Sequence, residues 1–94
     1  LLQLEHYKIG IPTAFSPNND GINDFFSIAV ETEFLKSIDL SIFDRWGNKL
    51  YSGNQWDGYH EYRPVDLGVY IYRVRISMKD GRERLFSGWL TVIR

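Results

Sequence analysis

The 94-residue chain has no cysteine, one methionine, two histidines and three prolines. Without cysteine there is no disulfide, no zinc–thiolate centre and no thiol nucleophile. That absence assigns no compartment, because exported bacterial domains also do without cysteine. His6 and His60 are the only imidazoles, and the serines lack the context of a nucleophile elbow. Charge of one sign is missing too: 11 basic and 12 acidic residues leave a net −1. Such a balance steers neither nucleic acid nor an anionic membrane. No apolar run approaches the ~20 residues of a spanning helix. The opening "LLQLEHYKIG" has no apolar core behind a basic start, so any export signal is expected outside this segment. Residues 1–10 read as a linker or a lead-in to the first strand. There is no low-complexity stretch and no internal repeat.

Aromatic residues are plentiful. Three Trp, six Tyr and six Phe make up 16% of the chain. One domain is expected at this length, and it buries only about two-thirds of the surface of its unfolded chain. Each ring removes roughly 150–250 Å² from water, so a few rings can dominate so small a core.

The hydrophobic period is two. In "IDLSIFD", Ile38, Leu40 and Ile42 share one face, with Asp39, Ser41 and Phe43 on the other. In "VYIYRVRISM", Tyr70, Tyr72, Val74, Ile76 and Met78 oppose Arg73, Arg75 and Ser77. That is the pattern of half-buried antiparallel strands. Arg73, Arg75, Arg82 and Arg84 read as a wet strand face, not as an RNA site. "RLFSGWLTVIR", Arg84–Arg94, is a last strand, and "KDGR" before it predicts a hairpin turn. Leu85, Phe86, Trp89, Leu90, Val92 and Ile93 occupy both of its faces, so it is expected inside the sandwich. "HYKIGI", "FFSIAV" and "NKLY" are further strands, and "ETEFLKS", Glu31–Ser37, is the one helical turn. The expected fold is all-β: an Ig-like antiparallel sandwich of about seven strands with Greek-key connections. A small barrel is second.

Four constellations invite chemistry. "FSPNNDGINDFF" concentrates Asn18, Asn19, Asp20, Asn23 and Asp24 between Phe15 and the Phe25–Phe26 pair. Clustered oxygens suggest calcium, with Asn18, Asp20, Asn23 and Asp24 as ligands. The EF-hand pattern fails, since no glutamate closes it and no helices flank it. Asn and Asp also bond their own backbone in turns, and the turn reading is preferred. "WDG", Trp56–Gly58, reads as a core anchor before a tight turn, with a sugar-stacking platform as the rival. "DRWG", Asp44–Gly47, offers Arg45 an ion pair with Asp44 or Asp57, or forms a docking surface. Asp57, Glu61 and Asp66 are candidates for a hydrolytic carboxylate pair. Glu61 is expected to point away from His60, and a chain this short has little room for a deep cleft. No enzyme activity and no cofactor are expected.

The ordered series "FSPNNDGINDFF", "IFDRWGNKLYSG", "WDG", "GVYIYRV" and "GWLTVIR" resembles the gliding motility-associated C-terminal domain. That is the type B sorting domain of the type IX secretion system in Bacteroidetes. The resemblance runs from about Ile11 to Arg94 and sets a domain of residues 11–94. It rests on Phe15, Pro17, Asp20, Gly21, Asn23, Asp24, Trp56, Gly68 and Tyr70. Asn19 stands where the family has Gly, and "YHEYRPVDL" departs from its usual turn before "GVY". The resemblance implies a non-catalytic sorting signal that takes a cargo protein across the outer membrane to the surface or medium. Its partners would be translocon or shuttle proteins, with cargo domains on its N-terminal side and no nucleic acid or membrane span. Asp44, Arg45, Trp46, Gly47, Asp57, Gly58 and Arg94 are then the candidate partner contacts. The alternative is an Ig-like stalk or a carbohydrate-binding module, which exposed Trp46 or Trp56 would favour.

Overall fold

The computed structural model describes residues 9–17 and 24–93. Eleven strand segments follow in order: β1 (Ile9–Gly10), β2 (Ala14–Phe15), β3 (Phe26–Ser27), β4 (Ala29–Val30), β5 (Leu35–Phe43), β6 (Lys49–Gly53), β7 (Gln55–Trp56), β8 (Tyr59–His60), β9 (Arg63–Pro64), β10 (Gly68–Met78) and β11 (Glu83–Val92). The main sheet has the order β2-β11-β10-β5-β6. The pairs β1–β4, β3–β7 and β8–β9 form separate ribbons. Sheets pack as a sandwich, as the period of two requires.

The two long strands pair antiparallel from Gly68↔Val92 to Ser77↔Glu83. Their turn is the one expected from "KDG". Gly81 sits at φ 91°, and Asp80 Oδ1 accepts the Arg82 amide at 3.0 Å. β5 flanks β10 on the other side, with Val74↔Leu40 at the centre. The crossover follows, because β5 and β10 are neighbours in space but not in sequence.

Two expectations change. The helical turn in "ETEFLKS" shrinks to one 3-10 turn, Thr32–Phe34, and Leu35 already belongs to β5. Pairing of Leu35 with Met78 of β10 decides this, since a short isolated helix is marginal on its own. The sheet is also not wholly antiparallel: β2 runs parallel to β11, with Thr91↔Ala14 and Val92↔Phe15. Ile9 and Gly10, within the lead-in, pair with Val30 and Ala29.

The core is aromatic at its centre. Trp56, Phe26, Leu40, Ile42, Ile76 and Leu90 are fully buried, with Phe15, Val74, Met78 and Val92 close behind. Ring centroids link Tyr72 to Phe26 at 5.6 Å, Phe26 to Phe15 at 6.1 Å, Phe15 to Trp56 at 5.6 Å and Trp56 to Tyr70 at 5.7 Å. Tilted and edge-on pairs at such distances add to area burial. Phe15 and Phe26 thus fasten the two ends of the Asn/Asp loop into the core. Phe25 does not join them and stays half exposed.

Candidate functional site

Two turns singled out by the sequence take opposite roles. In "WDG", Trp56 is wholly buried and its Nε1–H donates to the Tyr59 carbonyl at 3.0 Å. Asp57 Oδ1 accepts the Tyr59 amide at 3.0 Å. Gly58 is buried at φ +82°, and an added Cβ would come within 2.9 Å of Pro17. Its carbonyl accepts the Val65 amide. This turn closes the core and joins the Phe15–Pro17 segment to the rest, so glycine is required by both φ and space.

"DRWG" faces water. Asp44 Oδ1 accepts the amides of Trp46 and Asn48, each at 2.9 Å. Oδ2 accepts from Asn48 Nδ2. The Gly47 amide donates to the Asp44 carbonyl at 3.1 Å, and Gly47 sits at φ +90°. Asp first and Gly last is the residue pattern of such a turn. The side-chain bond to Asn48 is the largest cause holding the Asp44 carboxyl below its ordinary value, with the backbone donors adding to it. Asp44 therefore builds the turn. Arg45 does not turn to it: its guanidinium lies over the Trp46 ring at 5.8 Å. Trp46 is 80% exposed.

A cleft of about 330 Å³ opens beside this turn, lined by Arg45, Trp46, His60, Arg63, Asp66 and Tyr70 among others. Asp57 and Gly58 are not part of its wall. The far wall is the β8–β9 hairpin. Glu61 and Tyr62 form its tip at φ 51° and 68°. Two positive φ values in a two-residue loop define a type I′ turn, normally the place of Asn-Gly. The tip turns Glu61 back, so its Oε1 lies 3.7 Å from His60 Nε2. This corrects the expectation that the two point apart, which assumed an extended strand. His60 Nδ1 sits 3.1 Å from the Leu50 carbonyl, which fixes the hairpin to β6. Tyr62 is 99% exposed. Replacing Glu61–Tyr62 by Asn–Gly is expected to raise stability by ~1–3 kcal/mol, the usual relief of one or two strained residues; thermal melting checks it.

The cleft floor carries Tyr70, whose Oη–H donates to the Asp66 carbonyl four residues upstream at 2.6 Å. This resembles the tyrosine corner of β-sandwiches. Burial, then the Asp66 charge, raises the Tyr70 hydroxyl above its ordinary value, against a smaller opposing pull from Arg45. The sign follows. A raised folded value means the native state holds the proton more tightly, so this contribution is full below pH ~10 and fades as pH rises past the folded value. Tyr70→Phe should cost about 1 kcal/mol at neutral pH by loss of one hydrogen bond. The variant should also lose part of the alkaline drop in stability, which denaturant melts at pH 7 and above 10 measure.

Of the suggested hydrolytic carboxylates, only Asp66 lines the cleft. Asp57 is taken by its own turn and Glu61 by the His60 side. For calcium, Asn18, Asp20 and Asn23 lie outside the described residues, as do Asn19 and Gly21. Asp24 is half buried and engaged. Among the described residues no cluster of His, Asp and Glu is arranged to hold a metal. Arg94 lies outside the described residues. Sequence reasoning missed the hairpin residues His60, Tyr62 and Arg63, because a Glu–Tyr tip carries none of the usual turn signal. No helix among the described residues is long and apolar enough to cross a membrane.

The fold is similar to that in "The crystal structure of CopC from Methylosinus trichosporium OB3b", with a TM-score of 0.63 at 13% identity, over 90% of this chain and 88% of that one. At that identity the likeness concerns the fold alone. No curated protein matches the chain. The CHU_C Type IX secretion signal domain matches residues 9–92. The chain belongs to that family, and it serves as a non-catalytic sorting signal that sends a cargo protein toward the cell surface or the medium.

Proposed function

We propose that residues 11–94 are the C-terminal address of a cargo protein, with residues 1–10 leading in from the cargo. The cargo crosses the periplasm, and translocon or shuttle proteins read the domain through its folded surface. The family match over residues 9–92 carries this reading. The surface favoured for recognition is the cleft end, where Arg45, Trp46 and Arg63 line the wall exposed and Tyr62 stands exposed at the tip of the adjoining hairpin. Aromatic and Arg side chains are the usual anchors of protein interfaces. Asp44 and Gly47 shape that surface, while Asp57 and Gly58 hold the core beneath the neighbouring turn.

Trp46 is exposed and Trp56 is not, so the tryptophans divide on the sugar-binding alternative. Family membership supports sorting. The test is a fusion of residues 1–94 behind a signal peptide and a fluorescent reporter, expressed in a gliding bacterium. Export that stops when the type IX machinery is deleted is the expected result. Export that continues without it would remove the reading.

A further inference from the structure

A β-sheet edge must be covered, paired or blunted, because its free N–H and C=O groups recruit other strands. On one side of the main sheet, β6 is met by the hairpin through His60 and Leu50. On the other side β2 is only two residues long and covers Thr91 and Val92. The amides of Thr91 and Ile93 donate to Thr13 and Phe15 at 2.9 and 3.0 Å. Alternation then aims the amides and carbonyls of Leu85, Ser87 and Trp89 toward the same side, where no described strand pairs with them. None of these three carries a charge, and Leu85 and Trp89 are 68% and 63% exposed. Among the described residues this is an uncharged five-residue stretch of edge, with two large exposed apolar side chains and no strand covering it.

Beside it, on the outer face, lies a cleft of about 370 Å³ lined by Asp39, Arg73, Arg75, Leu85 and Ser87. Ser87 stands opposite Arg73, and Leu85 opposite Arg75. The small Ser87 side chain leaves a way across β11 from the open edge to the two arginines.

We infer that the Leu85–Trp89 edge accepts an extended, acidic segment of a partner protein as an added strand, placing one carboxylate over Ser87 toward Arg73 and Arg75. This rests on the sorting reading for the partner being part of the secretion machinery. A second copy of the chain fits less well. Antiparallel pairing about Ser87 would match Leu85 with Trp89 of the other copy. However, five residues give a contact only ~17 Å long and one strand wide, too narrow a seam to bury the roughly 1,000 Å² that a stable interface needs. It would also bring two further arginines, Arg73 and Arg75 of the second copy, to the same outer face. Strand addition by a peptide asks less area, because backbone bonds supply affinity and a side-chain site supplies selectivity.

The test is a titration of the folded domain with a short peptide alternating Val and Glu, followed by amide chemical shifts. A peptide alternating Val and Lys is the control. Ser87→Pro removes an outward amide without touching the β10 ladder, Ser87→Ala keeps it, and Arg73→Glu reverses the charge at an exposed position. Expected are shifts at Leu85, Ser87 and Trp89 with the Val–Glu peptide, about tenfold weaker binding for Ser87→Pro and for Arg73→Glu, and wild-type binding for Ser87→Ala. No binding, equal binding by Ser87→Pro, equal binding of the Lys peptide, or a dimer that occupies the edge would each overturn the inference. In the reporter fusion, wild-type export with loss in Ser87→Pro supports it, and equal export of both overturns it. A wild-type fusion that stays inside removes the sorting reading, while the peptide titration still decides the edge.

Discussion

Trp56→Ala is expected to cost ~3–5 kcal/mol, the range for removing a large aromatic from a core. The ring is completely buried, touches Phe15 at 5.6 Å and Tyr70 at 5.7 Å, and donates its indole N–H to Tyr59. Three losses add. The apolar contact goes, a cavity opens between the ribbons and the main sheet, and the Tyr59 carbonyl loses its donor. Domains of this size hold only about 5–15 kcal/mol in all. The variant should therefore be largely or wholly unfolded near 37 °C. Trp56→Phe separates the terms: it keeps an aromatic in the site but not the indole bond, and should cost about half as much. Denaturant melts of the three proteins decide. Wild-type stability in Trp56→Ala would mean that the ring chain from Tyr72 to Tyr70 does not hold the sandwich together.

The same ring chain shows which parts of the fold were legible in the residues. Leu40, Ile42, Val74, Ile76 and Met78 face inward because alternation at period two leaves a sheet no other choice, and all five are buried. "KDG" and "DRWG" form turns because Gly accepts positive φ and Asp bonds its own backbone, both properties of single residues. The ribbons were less legible. β3, β7, β8 and β9 are two residues each, too short for any periodicity, and their pairing is set by what lies across the core. Phe26 meets Trp56 through a contact thirty residues away in sequence. Parallel β2 was hidden for a similar reason: "AF" beside "TV" has meaning only once the final strand is in place.

The site divides along the same line. Arg45 and Trp46 could be singled out because an Asp-to-Gly turn must project its middle residues. The hairpin that completes the cleft could not, because Glu61 and Tyr62 adopt positive φ against their own preference. Such strain persists only where the surroundings impose it. Here the Leu50 contact to His60 and the Gly58–Val65 bond clamp both arms of the hairpin. An exposed tyrosine at the strained tip of a hairpin that walls the same cleft as an exposed tryptophan suits a surface that is recognised in its folded form.

That idea meets its strongest test in deletion of Thr91–Arg94. The final strand is not a tail: β11 lies between β10 and β2. Removal takes away Val92, 1% exposed in the core, worth about 1.5–3 kcal/mol of burial. It also removes the Thr91 and Ile93 amides that hold the Thr13–Phe15 segment. Once β2 is released, Phe15 loses its anchor, and with it one link between Phe26 and Trp56. The summed loss approaches the whole stability of a domain this small, so the truncated chain should be unfolded and not exported. Val92→Ala is the milder companion. It should cost about 1–3 kcal/mol, remain folded at 25 °C and still be exported. Circular dichroism and reporter export measured on the same variants separate the two ways a terminus can matter. A truncated chain that keeps its fold yet stays in the cell would make the last four residues a linear tag. One that loses its fold yet leaves the cell would show that the machinery does not read the folded surface, because neither the cleft nor the β11 edge survives unfolding.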